Sequence, residues 1–200
     1  MNYFLVAIIA YFLGSISFAV IVSRLFGLPD PRTYGSNNPG ATNVLRSGNK
    51  LAAALTLLGD ALKGWIAVAL AATAAPLLSL DEVHIALAAI FVLLGHLFPA
   101  FYQFKGGKGV ATALGVLLAL DWRVGCSTIA LWLVVFAITR TSSIAALIAI
   151  STTSIIAYCF RGGDFITGAI LLIALLVIWR HKENIVRLIS GREKQVGDSK

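Results

Sequence analysis

Three polar islands interrupt an otherwise apolar chain, and each carries residues suited to gripping an anion. Residues 104–112 (FKGGKGVAT) set Lys105 and Lys108 among Gly106, Gly107 and Gly109, directly before an apolar helix. Glycines let backbone N–H groups close around an anion, a helix start presents its positive dipole end, and the lysines add full charge. This is the chemistry of a phosphate cradle but not a Walker A loop, because Gly109 follows Lys108 and Tyr102 stands where the first glycine belongs. The same four letters, GGKG, also compose a flexible basic turn. Residues 29–49 (PDPRTYGSNNPGATNVLRSGN) offer uncharged donors at Ser36, Asn38 and Asn43, and at Arg46 a planar fork that takes phosphate oxygens two at a time. A structureless loop of this length in a compact domain is usually functional rather than a connector.

In residues 180–193 (RHKENIVRLISGRE), His181, Asn184 and Arg187 recur every third residue and so share a helix face. Glu183 is spaced to pair with Arg180 and Arg187, and the whole segment could lie on anionic lipid as a basic amphipathic tail. Neither reading accounts for His181 and Asn184. Three further sites carry polar chemistry. His96, in GHLFP, precedes the cradle by about two helical turns and takes a supporting role. Asp60 and Lys63 sit on one face of an apolar stretch and most simply neutralise each other. Arg140, Ser142 and Ser143 close a helix junction from which a hydroxyl can reach the same cavity.

The elements that must position these groups follow from composition. Of the 200 residues, 58% are hydrophobic and 12% charged, and a mean hydropathy of +0.88 excludes a soluble domain and places the chain in a bilayer. With about 20 apolar residues per transmembrane helix, there is room for membrane spans and little else, so residues 1–200 form a single membrane-embedded domain. Apolar stretches begin at the N-terminus and recur near 51–80, 83–101, 110–120, 124–138, 144–160 and 165–179. They predict an all-α bundle of seven transmembrane helices. Stretches 110–120 and 124–138 are short, so a five-span arrangement with re-entrant pieces stays open. The first stretch starts without a basic residue and reads as a span, not a cleaved signal peptide.

Net charge is +7. Placing the C-terminus in the cytoplasm puts 13 of the 16 Lys and Arg residues inside, leaving Arg123 and Arg161 outside and Lys63 within a span. By the positive-inside rule the N-terminus is outside, all three islands face the cytoplasm, and the basic excess records orientation rather than nucleic-acid binding. Residues 191–200 read as a flexible cytoplasmic tail. Cys126 and Cys159 lie in apolar runs without metal-site spacing and are expected to be inert core thiols.

The natural partner of these cations is a small phosphorylated molecule. A site opening between lipid-embedded helices suggests joining a water-soluble phosphate to an acyl chain. There is no G-x-S-x-G elbow and no zinc or diacid metal motif, which argues against a covalent serine enzyme and against a metal or other cofactor. An organic-phosphate transporter is the alternative class, although one-sided polar islands suit alternating access poorly. A purely structural subunit would leave the islands unexplained.

The segments GSISFAVIVSRLFGLPDPRTYGSNNPGATNVLRSGN, GHLFPAFYQFKGGKGVATALG and RHKENIVRLISGRE, in this order and with Asp60–Lys63–Gly64 between, resemble the three cytoplasmic motifs of the bacterial acylphosphate:glycerol-3-phosphate acyltransferase family, PlsY. The resemblance covers essentially the whole chain. Asn37 stands where the family commonly has Gly, and Ser17 where some members have Pro. The resemblance implies a seven-helix inner-membrane enzyme that moves a fatty acyl group from acyl phosphate to the 1-hydroxyl of sn-glycerol-3-phosphate, giving lysophosphatidic acid and phosphate, and a functional association with an enzyme that makes acyl phosphate. It also implies that Ser36 and Arg46 are catalytic or phosphate-binding, and that Lys105 and the Gly106–Gly109 loop hold glycerol-3-phosphate. Ser143 would stand beside the phosphate, His181 and Asn184 would be the catalytic pair, and Glu193 would be structural.

Overall fold

The structure, a computed structural model, describes residues 3–78 and 80–196. Among the described residues it is helical without strands: α1 (Tyr3–Gly14), α2 (Phe18–Leu25), α3 (Ala41–Leu45), α4 (Lys50–Leu78), α5 (Glu82–Leu97), α6 (Val110–Leu120), α7 (Trp122–Thr139), α8 (Ser142–Arg161), α9 (Phe165–Arg180) and α10 (Lys182–Ile189), with a 3₁₀ turn at Ala100–Tyr102. Every apolar stretch of the sequence is helical. Five units are long and apolar enough to cross a membrane: Tyr3–Leu25, α4, Glu82–Tyr102, α7 and α8. A sixth is reached if α9 and α10, bent by 56°, count as one span, and α6 is a shorter apolar helix of 11 residues.

Helix α5 is the axis of the bundle. Its Ala88, Ala89, Val92, Leu93 and Leu97 are buried against Val6 and Ala10 of α1, Val68 of α4 and Ile173 and Val177 of α9. A second core joins Leu117, Val124, Ala157, Ile166 and Ile170. Between lipid-embedded helices hydrophobicity gives no net drive, so close backbone approach must supply the packing. Glycines make it possible: a Cβ on Gly14 would strike the Val92 carbonyl, one on Gly95 the Tyr11 carbonyl, and Cβ atoms on Gly64 and Gly115 the carbonyls of Thr112 and Ala61. The α1–α5 and α4–α6 pairs are therefore seated backbone against backbone.

Backbone breaks inside the bilayer need partners, because lipid offers none. The first span breaks between α1 and α2, and there Lys63 of α4 donates its ammonium to the freed Ile16 carbonyl at 2.6 Å. The same ammonium stands 2.9 Å from Asp60 Oδ1, both side chains almost fully buried. The sequence-level pairing of Asp60 with Lys63 thus holds, with a helix-capping duty added. At one end of the bundle Asp81, Asp121 and Asp164 cap α5, α7 and α9, as short acceptors at N-termini do.

Two expectations change. Cys126 and Cys159 are exposed rather than buried in the core, because in a membrane protein an apolar run fills the outer surface as readily as the interior. Of the expected tail, residues 197–200 lie outside the described residues, whereas 191–196 are tied to the bundle, with Val196 N–H bonded to the Arg140 carbonyl at 2.9 Å. Gly115→Ala is expected to lower stability by about 1–3 kcal/mol through overpacking, read as a drop in the thermal unfolding midpoint in detergent, with a lipid-facing Gly168→Ala, which meets no neighbour, near neutral.

Candidate active site

The polar end opposite the aspartate caps is assembled from the 26–49 loop, the 98–109 loop, the α7–α8 junction and residues 181–196. Asn43, buried in α3, organises the first loop: its Oδ1 accepts from Ser36 N–H at 3.0 Å, and its Nδ2 donates to the carbonyls of Pro31 (2.7 Å) and Tyr34 (3.1 Å). All three of those bonds stay within the loop, so Asn43 holds Ser36 in place rather than offering itself to a ligand. Gly35 is left-handed (φ +60°) and lies against Asn43 Oδ1 and the Arg46 side chain. A Cβ there would collide with Asn43 Oδ1 and crowd the Arg46 side chain. Asn37 is also left-handed, at φ +54°, a conformation Asn tolerates far better than most residues, which reconciles it with the Gly of the resembling family. Asn38 packs its amide near Gly40, and Thr42 Oγ1 lies 3.2 Å from Ser142 Oγ, tying this loop to α8.

The glycine loop is gripped from both sides. Gly107 N–H donates to the His96 carbonyl at 3.2 Å, and the His96 ring lies where a Gly107 Cβ would go, with the Pro39 carbonyl of the first loop also adjacent. His96 Nδ1 is 3.6 Å from Asp60 Oδ1, so the imidazole backs the cradle and leans on the buried ion pair instead of facing solvent. On the other side Arg180 donates from Nη2 to the Gly106 carbonyl (2.9 Å) and the Gly107 carbonyl (3.1 Å), and from Nε to Gly107 (3.2 Å). This replaces the Arg180–Glu183 pair that spacing alone suggested. Gly109, at φ +87°, turns the chain into α6. Gln103 and Phe104 precede the loop at φ +56° and +58°, strained backbone of the kind that collects at ligand sites.

Lys108 is largely buried in the cluster. Burial above all, joined by the like charge of Arg187 and opposed by Glu193 and Glu183, pushes its ammonium down to about 8. Lys105 is exposed, its N–H bonded to the Tyr102 carbonyl at 3.1 Å. Of the cradle's two lysines, only Lys108 is embedded among the other charges.

The third island forms a second cluster around Glu193. Its Oε1 accepts from Ser143 Oγ at 2.6 Å and Asn184 Nδ2 at 2.5 Å, and its Oε2 from Arg187 Nε at 2.6 Å. Burial would raise the carboxyl, but these three donors hold it below its usual range. Arg187 meets Glu183 only at 3.9 Å. The grip on Asn184 fixes its amide so that Oδ1, buried and without a partner among the described residues, is left to accept. His181 is buried at the α9–α10 bend with Nδ1 2.7 Å from the Val177 carbonyl. A carbonyl can only accept, so Nδ1 carries the hydrogen and Nε2 keeps its lone pair. Burial pushes the imidazole down to about 4; the carbonyl bond opposes that and the Lys108 charge adds to it. The ring is neutral at physiological pH.

The structure thus gathers Ser36, Arg46, Lys108 and Gly107 with His181, Asn184 and Ser143, and turns Asn43 and His96 into supports. Two residues that sequence reasoning undervalued are Arg180 and Glu193. Arg180 gave a weak signal as the neighbour of His181, masked by the Glu183 spacing. Glu193 is the single acid at the end of a basic island, a pattern that asks what it neutralises.

Cations, free amides and two lone-pair acceptors at the polar end of a lipid-embedded helical bundle define a membrane enzyme for a hydroxylated organic phosphate. A profile of the glycerol-3-phosphate acyltransferase family matches residues 4–191, and the chain belongs to that family. Proteins named glycerol-3-phosphate acyltransferase from Cupriavidus necator (54% identical, 98% of this chain and 97% of the relative) and Nitrosospira multiformis (57%, 94% and 93%) are similar throughout. Two crystal structures of the integral membrane glycerol 3-phosphate acyltransferase PlsY share the fold. One is its glycerol 3-phosphate form (TM-score 0.89, 36% identity, covering 98% of this chain and 96% of that one) and the other its lysophosphatidic acid form (0.87, 35%, 96% and 94%). These relatives are acyltransferases, and the transporter alternative finds no support among them.

Because Lys108 loses its proton as pH rises through about 8, sulfate, which keeps its charge over that range, should bind the free protein less tightly above pH 8. Lys108→Gln should weaken sulfate about tenfold below that pH and flatten the pH dependence, as calorimetric titration would record.

Proposed function

We propose that this protein transfers a fatty acyl group from acyl phosphate to the 1-hydroxyl of sn-glycerol-3-phosphate, releasing lysophosphatidic acid and inorganic phosphate, without a cofactor. The observation that carries this reading is the juxtaposition of a cationic glycine cradle with two unprotonated acceptors, His181 Nε2 and Asn184 Oδ1. A phosphate and a hydroxyl on one small molecule would be recognised together. Family membership and the two PlsY ligand forms support the same substrate and product.

Acyl phosphate is a mixed anhydride with a good leaving group, so no enzyme nucleophile is needed, and positioning with charge stabilisation supplies the acceleration. The acceptor oxygen attacks the acyl carbonyl carbon, the carbon–oxygen bond to phosphate breaks, and phosphate leaves with the bonding pair. The hydroxyl proton goes to His181 Nε2 or to an oxygen of a bound phosphate. In the free protein the imidazole is a weak base, and arrival of the substrate anions beside it strengthens it. Ser36, Arg46 and Ser143 are assigned to the two phosphates with Lys108, the Gly106–Gly109 loop and Asn38, while Lys105, at the rim, draws the anion in.

The arrangement we propose in the membrane is seven helices, N-terminus outside, with the site facing the cytoplasm of the inner membrane. It is supported by the 13 cations that this orientation places inside and by α6, whose buried Ala113, Val116 and Leu117 are shielded by protein, so that its length need not match the lipid. A functional association with an enzyme that makes acyl phosphate follows from the donor's amphiphilic, hydrolysable chemistry.

Purified protein given acyl phosphate and glycerol-3-phosphate should release phosphate and lysophosphatidic acid in equal amounts; absence of both products would sink the reading. His181→Ala is expected to lower kcat by about 10²–10⁴-fold with little change in the KM for glycerol-3-phosphate. An unchanged kcat with weakened binding would assign the proton to phosphate.

A further inference from the structure

We propose that Arg180 is a positioning residue for acyl transfer: bonded to the Gly106 and Gly107 carbonyls, its guanidinium sets the distance between the phosphate cradle and His181, the next residue in the chain. The inference rests on the proposed cradle and goes beyond it, because Arg180 acts on protein atoms.

Arg180 spends its fork on two consecutive backbone carbonyls, with three contacts between 2.9 and 3.2 Å. In a trans peptide each C=O points opposite to the following N–H. Drawing both carbonyls toward Arg180 therefore turns the amides of Gly107 and Lys108 away from it. Gly107 N–H is taken by the His96 carbonyl, whereas neither Lys108 N–H nor Gly109 N–H has a hydrogen-bond partner among the described residues. The same contacts remove two carbonyl dipoles that would repel an anion. Held from one side by His96 and from the other by Arg180, the loop cannot slide along α9.

The guanidinium is itself fixed. It lies 5.6 Å from the centre of the Phe98 ring and 6.0 Å from that of Trp179. Arg180 ends α9, and His181 begins the bend to α10, anchored by its bond to the Val177 carbonyl. One short rigid path thus links the group that binds phosphate to the group that faces the hydroxyl. The acceptor must span both, so an error in this path becomes an error in attack distance, and misplacements of about 1 Å can cost about 100-fold in rate. Lysine cannot reproduce the brace, having a single point of donation where Arg180 addresses two carbonyls. Glu183, spaced to pair with Arg180, makes no hydrogen bond to it and is exposed, so the brace is built on the two carbonyls rather than on that charge.

The experiment measures kcat and both KM values for the full-length protein in detergent, with thermal midpoints alongside, for Arg180→Gln, Arg180→Lys, Glu183→Gln and Lys108→Gln. Expected are a fall of about 100-fold in kcat/KM for glycerol-3-phosphate in both Arg180 variants, a KM for acyl phosphate within about twofold of the parent, near-parent thermal midpoints, and parent behaviour for Glu183→Gln. Arg180→Lys matching the parent would overturn the brace, as would equal rises in both KM values with kcat unchanged or the same defect in Glu183→Gln. Lys108→Gln separates the two layers. If it raises the KM for glycerol-3-phosphate while Arg180→Gln keeps the parent kcat/KM, the brace alone fails; if neither variant changes kcat/KM for glycerol-3-phosphate, the cradle fails with it.

Discussion

The polar end of this protein stands on an ion pair buried in the bundle. Lys63 closes the Ile16 carbonyl at the break between α1 and α2, and Asp60 neutralises Lys63. Each charge alone would be expensive at that depth, and together with His96 they form a polar pillar between α4 and α5. On it rests the end of α5, and against that end the glycine loop folds back through His96 to Gly107. The first span can break where it does, carrying α2 and the long loop to the polar end, because this pillar is there to meet it. The ion pair is a condition of the architecture more than a source of net stability.

Above the pillar the polar groups divide into those left free and those that fix them. Asn43 spends its amide on loop carbonyls and an N–H so that Ser36 and Arg46 are presented. Glu193 collects Ser143, Asn184 and Arg187 and thereby decides which end of the Asn184 amide faces the cavity. Val177 decides which nitrogen of His181 keeps its lone pair. In the last two cases a protein carboxylate or carbonyl determines the polarity of a side chain that could otherwise offer either a donor or an acceptor. The outcome is a polar end that presents cations beside lone pairs, the pairing that the proposed acceptor's phosphate and hydroxyl call for.

Much of this was legible in the sequence, for identifiable reasons. Helix positions were readable because a bilayer demands apolar length, so each stretch from residues 51–80 to 165–179 became a helix. The three islands were readable because Gly, Asn and basic residues have no business at membrane depth unless they line a cavity. What stayed hidden were partners made of backbone. The carbonyls of Ile16, His96, Gly106 and Val177 have no letter, so the duties of Lys63, Arg180 and the His181 tautomer could not be spelled out. Local spacing misled for Arg180, where Glu183 offered the nearer partner and two glycine carbonyls the better one. Apolar context misled for Cys126 and Cys159, since lipid and core select the same letters.

Glu193 follows every helix of the bundle along the chain, and its carboxylate joins the ends of two of them. The donors it collects come from the start of α8 and from α10, separated from it by as many as 50 positions along the chain. A chain threaded through all its hydrophobic segments has therefore built the scaffold but not yet the cluster that Glu193 draws together.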